Sequence, residues 1–191
     1  GAVFVSKWGT SGSGDGQFLW PIGVAVASDG NVYVVDLDSN RIQKFTSEGA
    51  FVSKWGTQGT GDGEFNQPHG IAIASDGSVY VAGANNHRIQ KFKSEGVFVT
   101  KWGTEGTADG QFKNAKSIAV ASDGSVYVSD QTTDSIQKFT SNGVFIIKWG
   151  TEGTADGQFK NPEGIAVAPD GSVYVAETGN NDRIQKFSVG P

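Results

Sequence analysis

Few side chains in this sequence could do chemistry, and their spacing limits what they could do. There are two histidines, His69 and His87, and no cysteine. Disulfides and thiolate metal sites are therefore excluded, and cysteine usage says nothing of the redox compartment. His69 stands in a Pro68-His69-Gly70 corner whose variable residue recurs as Ile22, Lys116 and Glu163; the positions 22, 69, 116 and 163 are each 47 apart. A histidine and a carboxylate on one rim begin a metal site. A catalytic zinc takes three protein ligands, however, and two histidines on separate loops do not supply them. Neither histidine has an evident Ser or Asp partner in sequence. Lys116 and Glu163, in neighbouring repeats, are expected to form a rim ion pair, which if exposed contributes about 0–1 kcal/mol. No catalytic residue, metal site or cofactor is assigned.

The remaining polar candidates lie in a second variable loop. Its copies begin Asp36-Leu37-Asp38, Gly83-Ala84-Asn85, Asp130-Gln131-Thr132 and Glu177-Thr178-Gly179. From these, Asp36, Asn85, Gln131 and Glu177 join Ile22, His69, Lys116 and Glu163 as candidate ligand contacts. Local pairs of Arg41 with Asp36 and of Arg183 with Glu177 are an alternative, structural use of the same carboxylates. Trp20 stands where other repeats have Gln67, Asn114 and Asn161; an indole there could stack on a sugar or peptide ring, or pack against Leu19 or Pro21. Asp15, Asp62, Asp109 and Asp156 invite a calcium reading. Calcium needs about six to eight converging oxygens, and each Asp sits in its own repeat beside glycine, so turn formation is expected.

The elements that must position these residues follow from the period. Asp-Gly occurs at Asp29, Asp76, Asp123 and Asp170, again 47 apart, and Trp8, Trp55, Trp102 and Trp149 keep the same step. Around each Asp-Gly, runs such as Ile71-Ala72-Ile73 and Val79-Tyr80-Val81 read as strands joined by a tight turn. Arg88-Ile89-Gln90-Lys91-Phe92 reads as a third strand, its lysine stem along apolar surface and its amine in water. Phe51-Val52-Ser53-Lys54-Trp55 reads as an outer fourth. Val32-Tyr33-Val34-Val35 is apolar on both faces, so both faces must be covered. No stretch shows a sustained helical period. A repeat of this length with four strands is the unit of a β-propeller, and residues 1–191 are read as one such domain of four blades. The chain begins with an outer strand and ends with a third strand. The N-terminal strand Val3–Trp8 is therefore expected beside Arg183–Phe187, closing the last blade and the ring.

The pattern Pro-x-Gly-Ile-Ala-Val-x-x-Asp-Gly-x-Val-Tyr-Val-Ala, followed by Asn-x-Arg-Ile-Gln-Lys-Phe, resembles the NHL repeat in all four copies. Pro68–Phe92 carries most of it, including Asn86-His87-Arg88-Ile89. Departures occur at Gly83, where the usual Asp is missing, at Ser135, where the other copies have Arg, and at Ala115-Lys116-Ser117. The resemblance implies NHL-type blades and a family whose propellers often bind proteins and in some cases RNA. Three assemblies fit four blades: a monomer closed as a four-bladed ring, a homodimer closed as an eight-bladed ring, and a portion of a larger propeller. The small inner-strand residues favour the single-chain ring.

Charge narrows the function classes. Twenty acidic against fifteen basic side chains give a net charge of −5, which disfavours a nucleic-acid or anionic-membrane partner. No apolar run approaches the ~18 residues of a membrane helix. The sequence starts at Gly1 without a Met, as expected of a processed product or an excised segment. The expected function is non-catalytic: a binding or scaffold propeller taking a protein or peptide on its variable loop face. Three alternatives stand beside it. One is a carbohydrate-binding propeller using Trp20. Another is a hydrolase or lyase with a metal at the channel mouth. The third is a repeat-amplified or designed scaffold with no evolved ligand.

Overall fold

The computed structural model describes residues 1–190, and all regular structure among them is β. A short parallel pair, β1 (Thr10–Ser11) with β2 (Gln17–Phe18), precedes the first blade. Blade 1 is β3 (Pro21–Val26), β4 (Val32–Asp36), β5 (Arg41–Phe45) and β6 (Phe51–Trp55), antiparallel and in sequence order. Blade 2 repeats this with β7 (Pro68–Ile73), β8 (Val79–Gly83), β9 (Arg88–Phe92) and β10 (Phe98–Trp102). Blade 3 has β11 (Ala115–Val120), β12 (Val126–Asp130), β13 (Ser135–Phe139) and β14 (Phe145–Trp149). Blade 4 has three strands, β15 (Pro162–Val167), β16 (Val173–Glu177) and β17 (Arg183–Phe187). The four blades form the propeller arrangement that the period implies.

Local chemistry sets each hairpin. The Asp76 carboxylate accepts the Ser78 N–H at 2.9 Å, and Gly77 takes φ 84 at the turn. Asp29, Asp123 and Asp170 accept from the residue two positions on in the same way. That N–H holds each carboxyl below the usual range. These Asp-Gly turns are structural, as their constancy suggests.

The core lies between blades. Tyr33, Val35 and Ile42 of blade 1 meet Phe65, Ile71, Val79, Val81 and Phe92 at blade 2. Tyr80, Ala82 and Ile89 meet Phe112, Ile118, Val126, Val128 and Phe139 in the next junction. Tyr127 and Ile136 meet Phe159, Val173 and Val175 in the third. A polar lock repeats on top of these contacts. Tyr33 Oη donates to the Ser94 carbonyl at 3.1 Å, and Lys44 Nζ donates to the same oxygen at 3.2 Å. Tyr80 and Lys91 converge on Ser141 at 2.9 and 3.0 Å. The ammonium also lies over its tyrosine ring, at 5.3 Å for Lys44 and 5.4 Å for Lys91. Lys44 and Lys91 thus differ from expectation. Their amines are buried, because the neighbouring blade supplies a carbonyl and the ring supplies a π face.

The expected pairing of Val3–Trp8 with Arg183–Phe187 is not made. Residues 1–9 carry no strand pairing, and Val3, Phe4 and Val5 are exposed. Trp8 packs on blade 1, its ring 6.0 Å from Phe45 and against Gly49. Trp55 takes the equivalent place against Phe92 and Gly96. The N-terminal segment is thereby tied to blade 1, at the opposite end of the series from β17.

Gly96 is required twice over: its φ is +83, and a Cβ there would come within 2.5 Å of the Trp55 indole. Gly110 has φ +77 with nothing near its Cβ position. Gly110→Ala should cost only the left-handed backbone strain, on the order of 1–3 kcal/mol. Gly96→Ala should cost more, because the indole is also displaced; urea unfolding of the two variants measures the difference.

Candidate functional site

The inner strands bring the four corner residues together. Ile22, His69, Lys116 and Glu163 are the second residues of β3, β7, β11 and β15, and each lies in a register shift at the strand start. Such bulges re-aim side chains away from the regular pleat. The four line one cavity of about 440 Å³ together with Gly23, Val24, Gly70, Ile71 and Ser117. Close backbone approach makes this possible. A Cβ at Gly23 would fall 2.8 Å from the His69 carbonyl oxygen, and one at Gly70 would fall 2.7 Å from that of Lys116. In blade 3, Ser117 replaces the glycine, and the Ser129 hydroxyl accepts its N–H at 3.1 Å.

The electrostatics of the rim are mixed. Burial, with the Lys116 ammonium adding to it, pushes the His69 imidazole down to about 4. His69 is therefore neutral at physiological pH. The expected Lys116–Glu163 ion pair is not formed; the Glu163 carboxylate accepts from the Gln131 amide across the blade 3–blade 4 junction. Gln131 in turn accepts from Asn114 at 3.1 Å. Two sequence candidates, Gln131 and Glu163, are thus joined directly.

The other candidates are placed differently. Asp36 is fully buried and accepts the N–H groups of Leu19 and Trp20 at 3.1 and 2.8 Å, with Arg41 Nε at 3.4 Å. Glu177 accepts from Arg183, Asn181 and the Lys160 N–H. Burial alone would raise it, but these bonds hold it below the usual carboxylate range. Both carboxylates are committed to clamping loops, which is the structural use of the Asp36–Arg41 and Glu177–Arg183 pairs. Asn85 is exposed and donates to Gln67. Trp20 is 58% exposed and lies outside the residues lining the rim cavity. His87 faces blade 3, where its Nδ1 sits 2.9 Å from the Lys113 carbonyl. Among the described residues no three His, Asp or Glu side chains group as a metal site.

Blade 2 lacks its clamp carboxylate. Gly83 stands opposite Arg88 in the strand pairing, as Asp36 stands opposite Arg41. Arg88 donates to the carbonyls of Thr60, Gly61 and Glu64, but its Nε is buried with no partner. One structural role was missed by reasoning from sequence. Gln43 accepts the Gly16 N–H and donates to the Gln17 carbonyl, and Gln90, Gln137 and Gln185 repeat this with their own loops. Its signal was the same Gln in all four copies of the third strand.

Two measurements check these geometries. Gly83→Asp should satisfy Arg88 Nε, since a Cβ at Gly83 meets nothing closer than 3.5 Å. A charge-assisted bond of this kind contributes about 1.5–3 kcal/mol. In an NMR titration the His69 ring should stay neutral down to a pH of about 4, and Lys116→Ala should move its midpoint upward. The unfolded chain protonates His69 near its ordinary value of 6.5. Its contribution to stability is therefore complete above that pH and is lost as pH falls from there toward about 4.

The NHL repeat profile matches residues 18–45, 65–92 and 159–187. No curated protein sequence matches the chain. Among solved structures, virginiamycin B lyase from Staphylococcus aureus superposes with TM-score 0.64 at 18% identity, over 90% of this chain and 56% of that one. Hydrazine synthase of Kuenenia stuttgartiensis gives 0.70 at 10% identity, over 98% and 49%. A chain of the nidogen/laminin complex gives 0.65 at 18% identity, over 87% and 60%. The chain spans about half to three fifths of these structures' length, and at such identities they share the fold alone. The repeat is matched in blades 1, 2 and 4, and blade 3 has the same strand order, so the chain is a β-propeller that carries NHL repeats in three of its four blades.

Proposed function

We propose that the protein is a non-catalytic binding module that takes a protein or peptide ligand at the rim formed by Ile22, His69, Lys116 and Glu163. One observation carries this reading. Positions that differ between nearly identical blades converge on a single polar cavity, whereas the constant positions build turns, clamps and blade junctions. Loops and strand ends on a rigid scaffold are where recognition is usually placed. An aliphatic group, a neutral imidazole, an ammonium and a carboxylate suit a peptide carrying charged and apolar side chains together. The depressed His69 pKa of about 4 supports binding over proton transfer, because a general base works best with a pKa near the operating pH. The nidogen/laminin neighbour, a propeller-like chain found in a protein complex, is consistent with this use of the fold.

The test is a peptide-library selection against the purified protein. Enriched peptides should lose binding at least tenfold with Lys116→Glu or His69→Ala. They should keep it with Ser78→Ala, in an Asp-Gly turn remote from the corner. Peptides that bind all variants equally, or the absence of any enrichment, would remove the reading.

A further inference from the structure

The two ends of the blade series are complementary to each other, and the internal junctions show what each one lacks. At every junction the inner strand of one blade packs against the tyrosine and isoleucine of the blade before it. Ile71 is 9% exposed in blade 2, but its counterpart Val24 in blade 1 is 67% exposed. Ile42, Ile89 and Ile136 are fully buried, but their counterpart Ile184 in blade 4 is 65% exposed. Tyr174 is likewise the exposed member of the tyrosine set. On blade 4, Gly164, Ala166, Tyr174, Ala176 and Ile184 line an apolar groove of about 310 Å³.

We propose that two copies of this chain join head to tail at these faces and close a single eight-bladed ring. The occupant of each face is fixed by the repeat itself. What covers the Ile71 face in blade 2 is the Tyr33–Ile42 face of blade 1, and the same surface stands free on blade 4 as Tyr174 and Ile184. The polar lock is carried over too. Lys186 lies over the Tyr174 ring at 5.5 Å, and by the register of Tyr33 and Lys44 on Ser94 both would donate to the Ser47 carbonyl of the second copy. The open edge of β17 receives Val3–Trp8 of that copy. In the register of β9 with β10, where Phe98 opposes Phe92 and Thr100 opposes Lys91, Phe4 falls opposite Phe187 and Ser6 opposite Lys186. Phe187 already lines an apolar cavity of about 260 Å³ with Trp149 and Val189, and Phe4 is exposed. Lys7 then meets Asp156 as Lys54 meets Asp15 at 2.6 Å. Head-to-tail contacts make rings when the rotation closes. The superposition of most of this chain on 56% of a larger propeller-like chain fits a blade-to-blade turn too gentle for four blades to complete.

Light scattering after gel filtration should give twice the 20.0 kDa mass of one chain. A single-chain mass at micromolar concentration, or an open series of larger species, would overturn the proposal. Val26→Asp and Ile184→Asp alter exposed positions at opposite ends and should leave the circular dichroism of the chain unchanged. Each alone should give monomers. Mixed in equal amounts they should form a one-to-one pair, because one of the two junctions is then unaltered in both partners. Variants that stay dimeric, or a mixture that stays monomeric, count against it. The chain has no cysteine, so Ser6→Cys with Lys186→Cys supplies a clean readout. Oxidation should yield a covalent dimer, whereas a disulfide within one chain would show closure by its own first strand and sink the idea.

Discussion

Each blade of this protein is a small sheet with two apolar faces and no helix to cover either. A single sheet of this kind cannot hide both faces, so every blade depends on a neighbour, and the neighbour must arrive in a fixed orientation. The tyrosine–lysine pair supplies that orientation. In each of the first two blades a buried ammonium and a phenol donate to one carbonyl of the next blade. A buried ammonium without a partner would be strongly unfavourable. The charge therefore restricts blade packing to the position in which that carbonyl lies beneath it. Apolar contact supplies the driving force, and the lysine supplies the register between sheets.

The rim inherits its shape from this arrangement. Because blades are held so closely, Gly23 and Gly70 let one inner strand run against the carbonyl of the next. The bulges at the strand starts turn the corner residues into the space left over. Those residues touch few groups that hold the blades together, so they are free to differ. The exception shows the coupling: where Ser117 replaces glycine, Ser129 appears on the paired strand and accepts its N–H.

Much of the fold was legible because it is local and repeated. Asp76-Gly77 announced its turn, Arg41 its partner Asp36, and the 47-residue step the blade. The readings that failed were those requiring knowledge of a neighbouring sheet. Lys44 was expected to reach water, but the Ser94 carbonyl lies 50 residues away in sequence and directly beneath it in space. Lys116 was expected to meet Glu163, yet Gln131 reaches the carboxylate first from the next loop. Val3–Trp8 was assigned to the last blade by counting strands, but it pairs with no strand, and Val3, Phe4 and Val5 stand exposed. The corner residues were placed correctly on one rim, because equivalent positions in a repeat must share a radius.

All strand pairings within the blades join neighbours in sequence. The contacts between blades, by contrast, join positions about one repeat apart, so each junction forms only after the sheets on both sides of it. In a single copy, blade 4, with three strands and one neighbouring blade, is the piece with the lowest opening free energy. Its amides should be the first of the blades to exchange with solvent. The lifetime of a lone copy is governed by how often this terminal sheet peels away, whatever the strength of the junctions between the blades before it.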